Sequence, residues 1–214
     1  MKYDTYLFDF DGTLVDSMPT YVSIMTRILD EYGISYGDDL IKIITPLGYV
    51  GGAKYYVEEL GVSAPEEIIV EKMRAYAYEE YAHRIKAKNN VIEALKKLKS
   101  RGADLYILTA SPHVTLDVCL ERLGIYEMFT RVWSCEDFNT TKSDPELYRT
   151  VAGLIGKPID EILFLDDNYN ADRVAKGAGM PVCGVYDESS DEYVEEMKAL
   201  CDHYIFDFSE LTDI

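Results

Sequence analysis

The segment Asp9-Phe10-Asp11-Gly12-Thr13-Leu14 sets two carboxylates two residues apart, directly after the apolar run Tyr6-Leu7-Phe8. Side chains alternate along a strand, so residues i and i+2 leave it on the same side and face one point. Two like charges held that close are unfavourable unless a cation joins them or one keeps a proton. Either outcome is useful. A hard cation such as magnesium accepts carboxylate and carbonyl oxygens together with a phosphate, and a protonated acid can donate. Gly12 permits a tight turn and lets backbone amides approach an anion. A lone Asp-x-Asp would more often cap a helix or face solvent; here the strand before it and Gly-Thr-Leu after it favour a site.

Three further stretches carry chemistry-bearing residues. Ile162-Leu163-Phe164-Leu165 is a second apolar run ending in acids, Asp166 and Asp167, with Asp172 following. Thr109 ends the run Leu105-Tyr106-Ile107-Leu108 and precedes Ala110 and Ser111. Lys142 stands in Thr141-Lys142-Ser143-Asp144-Pro145, just before a helix start. Taken singly, Thr109 reads as a helix cap, Lys142 as a solvated lysine, Asp166 as incidental and Asp172 as a cap.

The elements that must position them come from hydrophobic patterning. Tyr6 to Phe8, Ala103 to Leu108, Arg131 to Ser134, Ile162 to Leu165 and Val182 to Val185 read as strands. Helices lie between the later ones: one capped by Asn90 and closed by Gly102, one opened by Pro112 and closed by Gly124, one started by Asp144-Pro145. This alternation implies an α/β fold with a doubly wound parallel sheet, Rossmann-like, whose ligand site lies beyond the carboxyl ends of the strands. From 16 to 83 only helices are legible. Ser17 and Pro19 begin one that Gly33 ends, and Ser63-Ala64-Pro65-Glu66 reads as a capping box opening a long helix through Tyr81. Residues 1–15 and 84–214 are therefore expected to form the catalytic core and 16–83 an inserted all-helical cap, placed as a lid. Pro46 to Gly52 reads as a flexible turn of that cap, with Lys54 close by to meet an anionic substrate end.

The motif Asp9 to Ser17, with Thr109, Lys142 and Asp167, resembles the haloacid dehalogenase-like (HAD) superfamily in its capped, phosphoglycolate phosphatase-like branch, and the resemblance spans nearly the whole chain. It implies a magnesium-dependent phosphatase that hydrolyses a small-molecule phosphate monoester through an aspartyl phosphate. Asp9 is then the nucleophile and Asp11 the general acid and base. Dehalogenases of the superfamily lack the second aspartate, so Asp11 points to phosphate rather than carbon–halogen chemistry. The resemblance also implies substrate contacts at Gly12, Thr109, Ala110 and Lys142. Ala110 stands where many members carry a polar residue, with Ser111 as a replacement. The metal ligands it implies are Asp9, Asp11 through its carbonyl, and Asp167, with Asp166 in place of the usual glycine as a further ligand. Asp172 would steady Lys142. Thr141 replaces the glycine usual before that lysine. Two alternatives stay open: a phosphosugar mutase of the beta-phosphoglucomutase kind on the same scaffold, and a non-catalytic binding protein.

Bulk properties narrow the partners. The chain has 214 residues and a formal charge of −18, from 39 acidic against 21 basic residues. That balance disfavours nucleic acid, whose binding relies on Lys and Arg neutralising phosphates. An acidic protein that handles anions needs a local positive centre. Cys119, Cys135, Cys183 and Cys201 form no C-x-x-C pair, so neither a zinc site nor a redox dithiol is indicated. His83, His113 and His203 lack metal-ligand spacing. No signal peptide or membrane span is legible, and a reduced cytoplasmic location with a small phosphorylated metabolite as partner is the expectation.

Overall fold

A computed structural model describes residues 3–37, 39–44 and 47–214, with backbone only at 212 and 213. In chain order it contains β1 (Thr5–Phe8), α1 (Met18–Glu31), α2 (Asp39–Ile44), α3 (Gly48–Glu58), α4 (Glu66–His83), α5 (Val91–Ser100), β2 (Asp104–Thr109), α6 (His113–Leu123), β3 (Arg131–Ser134), α7 (Pro145–Ile155), β4 (Ile162–Asp166), α8 (Tyr169–Ala178), β5 (Val182–Val185), α9 (Val194–Leu200) and β6 (His203–Ile205). The chain divides into two compact units, Met1–Asp16 with Lys86–Ile214, and Ser17–Ile85.

The first unit holds a six-stranded, all-parallel sheet in the order β3-β2-β1-β4-β5-β6. β1 is central, pairing Phe8 with Ile107 on one side and with Leu165 on the other. Its four residues are all buried, as an apolar strand covered on both faces must be. Leu7 packs with Leu108, Trp133, Tyr148, Phe164 and residues of α7 and α8 on one face. On the other, Phe8 lies 6.2 Å from the Phe129 ring and 6.4 Å from that of Phe208; Leu95 and Leu98 of α5 are also fully buried. Burying each such side chain contributes roughly 1.5–3 kcal/mol. The expected doubly wound core is what forms. β6 was not legible: three residues containing a His and a Tyr carry too little apolar period.

Local signals fared unevenly. Asp144 caps α7, its carboxylate accepting from the Glu146 amide at 2.9 Å, and Gly124 closes α6 in the left-handed region at φ 69. Asn90 precedes α5 but does not cap it with its side chain. It sits at φ 61 and donates instead to Asp207 at 2.7 Å, since a left-handed backbone turns the amide away from the helix amides it would have to meet.

The described elements of the second unit are all helices. α1 begins after Ser17 with Pro in its first turn, and Met25, Ile28 and Leu29 are fully buried, as are Ile69 and Met73 of α4. Tyr56 of α3 donates to the Met25 carbonyl at 3.0 Å. The expected capping box is absent: Pro65 occupies the position before α4 in an extended conformation and no side-chain cap forms, because proline there leaves Ser63 two residues outside the helix. The supposed flexible turn is largely helix as well. Gly48 to Gly52 open α3, Pro46 lies outside the described residues, and exposed Lys54 pairs with Glu58 at 3.9 Å. Gly52 stands inside that helix because it meets Met25: a Cβ there would stand 2.4 Å from the Met25 methyl.

Candidate active site

Parallel pairing brings the two acid-ended strands side by side. The Asp9 amide donates to the Leu165 carbonyl at 2.8 Å, carrying the β1–β4 ladder one residue past β1 and placing Asp9 beside Asp166. Carboxylate oxygens of Asp9, Asp166 and Asp167, one from each, all lie within 4.8 Å of one another, and all three residues are buried. Among the described residues this is the one such cluster.

Lys142 enters from the turn before α7. Its ammonium pairs with Asp9 Oδ1 and with Asp166 Oδ2, the latter at 2.7 Å. Tyr148, fully buried, donates to the Lys142 carbonyl at 3.1 Å and fixes the turn that carries the lysine. Burial alone would lower the Lys142 pKa, but Asp166 and Asp9 raise it well above the usual value. Burial pushes Asp9 up to about 7; Lys142 opposes that shift, while Asp166 and Asp11 add to it. Asp167 is raised by burial, then by Asp166 and Asp9. Three buried acids against one lysine is an electrostatic deficit that a divalent cation would relieve.

The turn after Asp9 is shaped around Asp167. Gly12 has φ +74, and a Cβ on it would fall 2.4 Å from Asp167 Oδ2. Thr13 donates to Asp167 Oδ1 at 2.7 Å. Asp11, just before Gly12, accepts from the Ser111 hydroxyl. Its carboxylate lies outside the three-acid cluster, so any part it takes in metal binding falls to its carbonyl. Thr109 is buried at the end of β2, and its hydroxyl oxygen accepts from the Ser111 amide at 3.1 Å, which leaves the hydroxyl proton for an anion. Ala110 is exposed and offers only backbone.

Asp172 reaches Lys142 only through its charge, not through a direct ion pair. It is fully buried and takes a hydrogen bond from Cys201 at 3.3 Å; Asp166 holds the lysine instead, being one strand position from Asp9. Burial raises the Asp172 pKa, and Asp166 raises it further. His113 is engaged by Asp117 at 3.1 Å and Asp137 at 3.0 Å, one through each ring nitrogen. It lines a cavity of about 530 Å³ beside β3 that none of the clustered acids reaches. Residue-level reading missed Thr13 and the pair Lys88–Asp187. Thr13 had a signal in its place two residues after Asp11. Lys88 had none.

The carboxyl ends of parallel strands, buried acids converging there and a lysine between them define a site for an anionic substrate on a doubly wound α/β sheet. Residues 3–179 match the haloacid dehalogenase-like hydrolase family model, and the chain belongs to that family. It is 29% identical over 182 residues to the pyrophosphatase PpaX of Bacillus velezensis, covering 84% of this chain and 81% of the relative. It is 25% identical over 177 residues to a phosphorylated carbohydrates phosphatase of Thermotoga maritima, covering 83% and 82%. A Thermotoga maritima structure provisionally named a beta-phosphoglucomutase superposes with a TM-score of 0.81 at 23% identity, over 98% of this chain and 97% of that one. The chain is thus an enzyme of this hydrolase family, similar to its phosphatases. Among the described residues no helix is long and apolar enough to cross a membrane.

Proposed function

We propose that the chain is a magnesium-dependent phosphatase that hydrolyses a small-molecule phosphate monoester through a phosphorylated Asp9. The observation that carries this reading is the convergence of Asp9, Asp166 and Asp167 from two strand ends, with Lys142 paired to the first two. An all-oxygen, buried, electron-rich donor set suits a hard divalent cation. Asp9, Asp167 and the Asp11 carbonyl would hold it, with Asp166 divided between the ion and Lys142. When bound, magnesium would supply positive charge that lets an anionic carboxylate approach an anionic phosphoryl group.

The chain's own residues do the rest. An Asp9 carboxylate oxygen attacks phosphorus in line, and the bond from phosphorus to the leaving oxygen breaks. Asp11, protonated, gives its proton to that oxygen; as a base it then takes one from the water that splits the aspartyl phosphate. The Thr109 hydroxyl and the Lys142 ammonium bind the non-reacting phosphoryl oxygens. Gly12 keeps the turn open beside Asp167, and Ala110 adds a backbone contact. The helical unit Ser17–Ile85 acts as the cap that excludes water and selects the leaving group.

The substrate is a small phosphorylated metabolite, in keeping with relatives named for phosphorylated carbohydrates and for pyrophosphate. Four free cysteines suit a reduced, cytoplasmic setting. Phosphate release should be screened over sugar phosphates, phosphoglycolate, nucleotides and pyrophosphate with magnesium, using Asp9→Asn as blank. Metal-dependent release by the native chain and none by the blank is expected; equal release by both would end the proposal. The mutase reading has support in the structural neighbour named above. It predicts isomerised sugar phosphate in place of free phosphate in the same assay.

A further inference from the structure

Lys88 lies where the chain has just re-entered the first unit. The Asp16 amide donates to the Lys86 carbonyl at 2.9 Å, and the Lys88 amide donates to the Leu14 carbonyl at 3.0 Å. The Lys88 side chain, 19% exposed, then turns toward the strand ends. Its ammonium donates to the Gly12 carbonyl at 2.7 Å, the Tyr186 carbonyl at 2.5 Å and Asp187 Oδ2 at 3.0 Å. An ammonium has three hydrogens, and all three are used. Asp187 is itself held, accepting from the Ser189 hydroxyl at 2.6 Å and the Ser189 amide at 3.0 Å, and is buried.

Topology makes these contacts consequential. Gly12 follows β1, and Tyr186 and Asp187 follow β5, while β4 lies between those strands in the sheet. The brace therefore crosses the carboxyl end of β4, where Asp167 is enclosed by the Gly12 backbone and the Thr13 hydroxyl. Fixing the Gly12 carbonyl fixes the plane of the Gly12–Thr13 peptide, and with it the wall against which Asp167 rests. Asp187 is also close enough to add to the electrostatic pressure on Asp167.

We infer that Lys88, seated on Asp187, is a positioning residue that locks the turn after Asp11 to the loop after β5 and so holds Asp167 for metal and phosphoryl binding. This rests on the phosphatase reading for its catalytic consequence but not for the brace itself. Supporting residues of this kind change metal affinity or activity by roughly 10–100-fold when removed.

Two substitutions separate a brace from mere space filling. Lys88→Met keeps the shape and removes charge and donors; Lys88→Arg keeps charge and donors and alters the shape. The expected result is that Lys88→Met lowers kcat about 10–100-fold, with a smaller change in KM and a higher magnesium requirement, and that Lys88→Arg retains more activity. Asp187→Asn, which leaves both carbonyl acceptors in place, should show the same pattern more weakly. The companion measurement is amide hydrogen exchange of the metal-free protein, in which the amides of 12–14 should exchange faster in Lys88→Met while the β2 amides do not change. A folded Lys88→Met with kcat within twofold of the native chain, or one more active than Lys88→Arg, overturns the inference. Should Lys88→Met fail to fold, unchanged kcat and exchange in Asp187→Asn overturns it instead. If the native chain releases no phosphate, the phosphatase reading fails, and the exchange of residues 12–14 still decides whether the brace exists.

Discussion

At the residue scale the site is governed by how badly its carboxylates tolerate one another. Asp9 and Asp167 are raised because burial penalises their charged forms and neighbouring acids add to it, with Lys142 offsetting part for Asp9. A metal must displace those protons. Magnesium affinity, measured by calorimetry, should therefore fall as pH drops through about 7, the Asp9 value, with proton release on binding. Affinity that does not vary between about pH 6 and 8 would contradict the shared environment of these acids. Asp11→Asn should lower turnover about 10²–10⁴-fold, the usual span for a general acid–base group, while leaving magnesium binding near native because its carboxylate lies outside the cluster. Gly12→Ala is a steric test: the new methyl would meet Asp167 Oδ2 at 2.4 Å with φ at +74. Weaker magnesium activation by roughly tenfold or more is expected, read from a metal titration of kcat.

At the element scale, precision comes from short connections between a rigid sheet and its helices. Lys142 sits two residues before the Asp144 cap, whose carboxylate also accepts from Thr140 at 3.0 Å. Asp144→Ala removes both bonds and should destabilise the protein by about 1 kcal/mol, typical for loss of an N-cap. Thermal or urea unfolding would register this, and unchanged stability would show that the cap is dispensable. Strand positions and the Pro112, Gly124 and Asp144 helix signals were legible because each is a local property of a few residues. The capping box at Ser63 and the cap at Asn90 were misread for a related reason. A side chain caps only if the backbone around it adopts the right turn, and Pro65 and the left-handed Asn90 do not.

For the whole molecule, the same protonation equilibria set how stability follows pH. The folded metal-free chain keeps protons on Asp9, Asp167 and Asp172 that the unfolded chain releases near pH 4. Stability falls with pH wherever the folded state binds more protons. These groups thus contribute stability that is full below about pH 4 and is lost for Asp9 as pH rises through about 7. The metal-free unfolding midpoint should accordingly fall between about pH 5.5 and 8, and the net charge of −18 adds repulsion in the same direction. Magnesium should raise the midpoint more at the upper end of that range, where the carboxylates are free to bind it. Scanning calorimetry with and without magnesium at both pH values checks this; an equal metal effect at each would count against the assignment.

Motif, strand ends and alternation let the sequence by itself determine the parallel α/β core and bring Asp9, Asp11 and Asp167 forward as candidate site residues, whereas Thr109 and Lys142 came forward only through the family resemblance. That was possible because a strand's period and a motif's spacing are written within a few consecutive residues. Tertiary structure decided the partnerships. Asp166 rather than Asp172 takes Lys142, Ser111 takes Asp11, Thr13 takes Asp167, and Lys88 spans from Gly12 to Asp187. These pairs lie between 24 and 154 residues apart in the chain. Only the order and register of the strands put such distant side chains within hydrogen-bonding reach, and no local pattern encodes that.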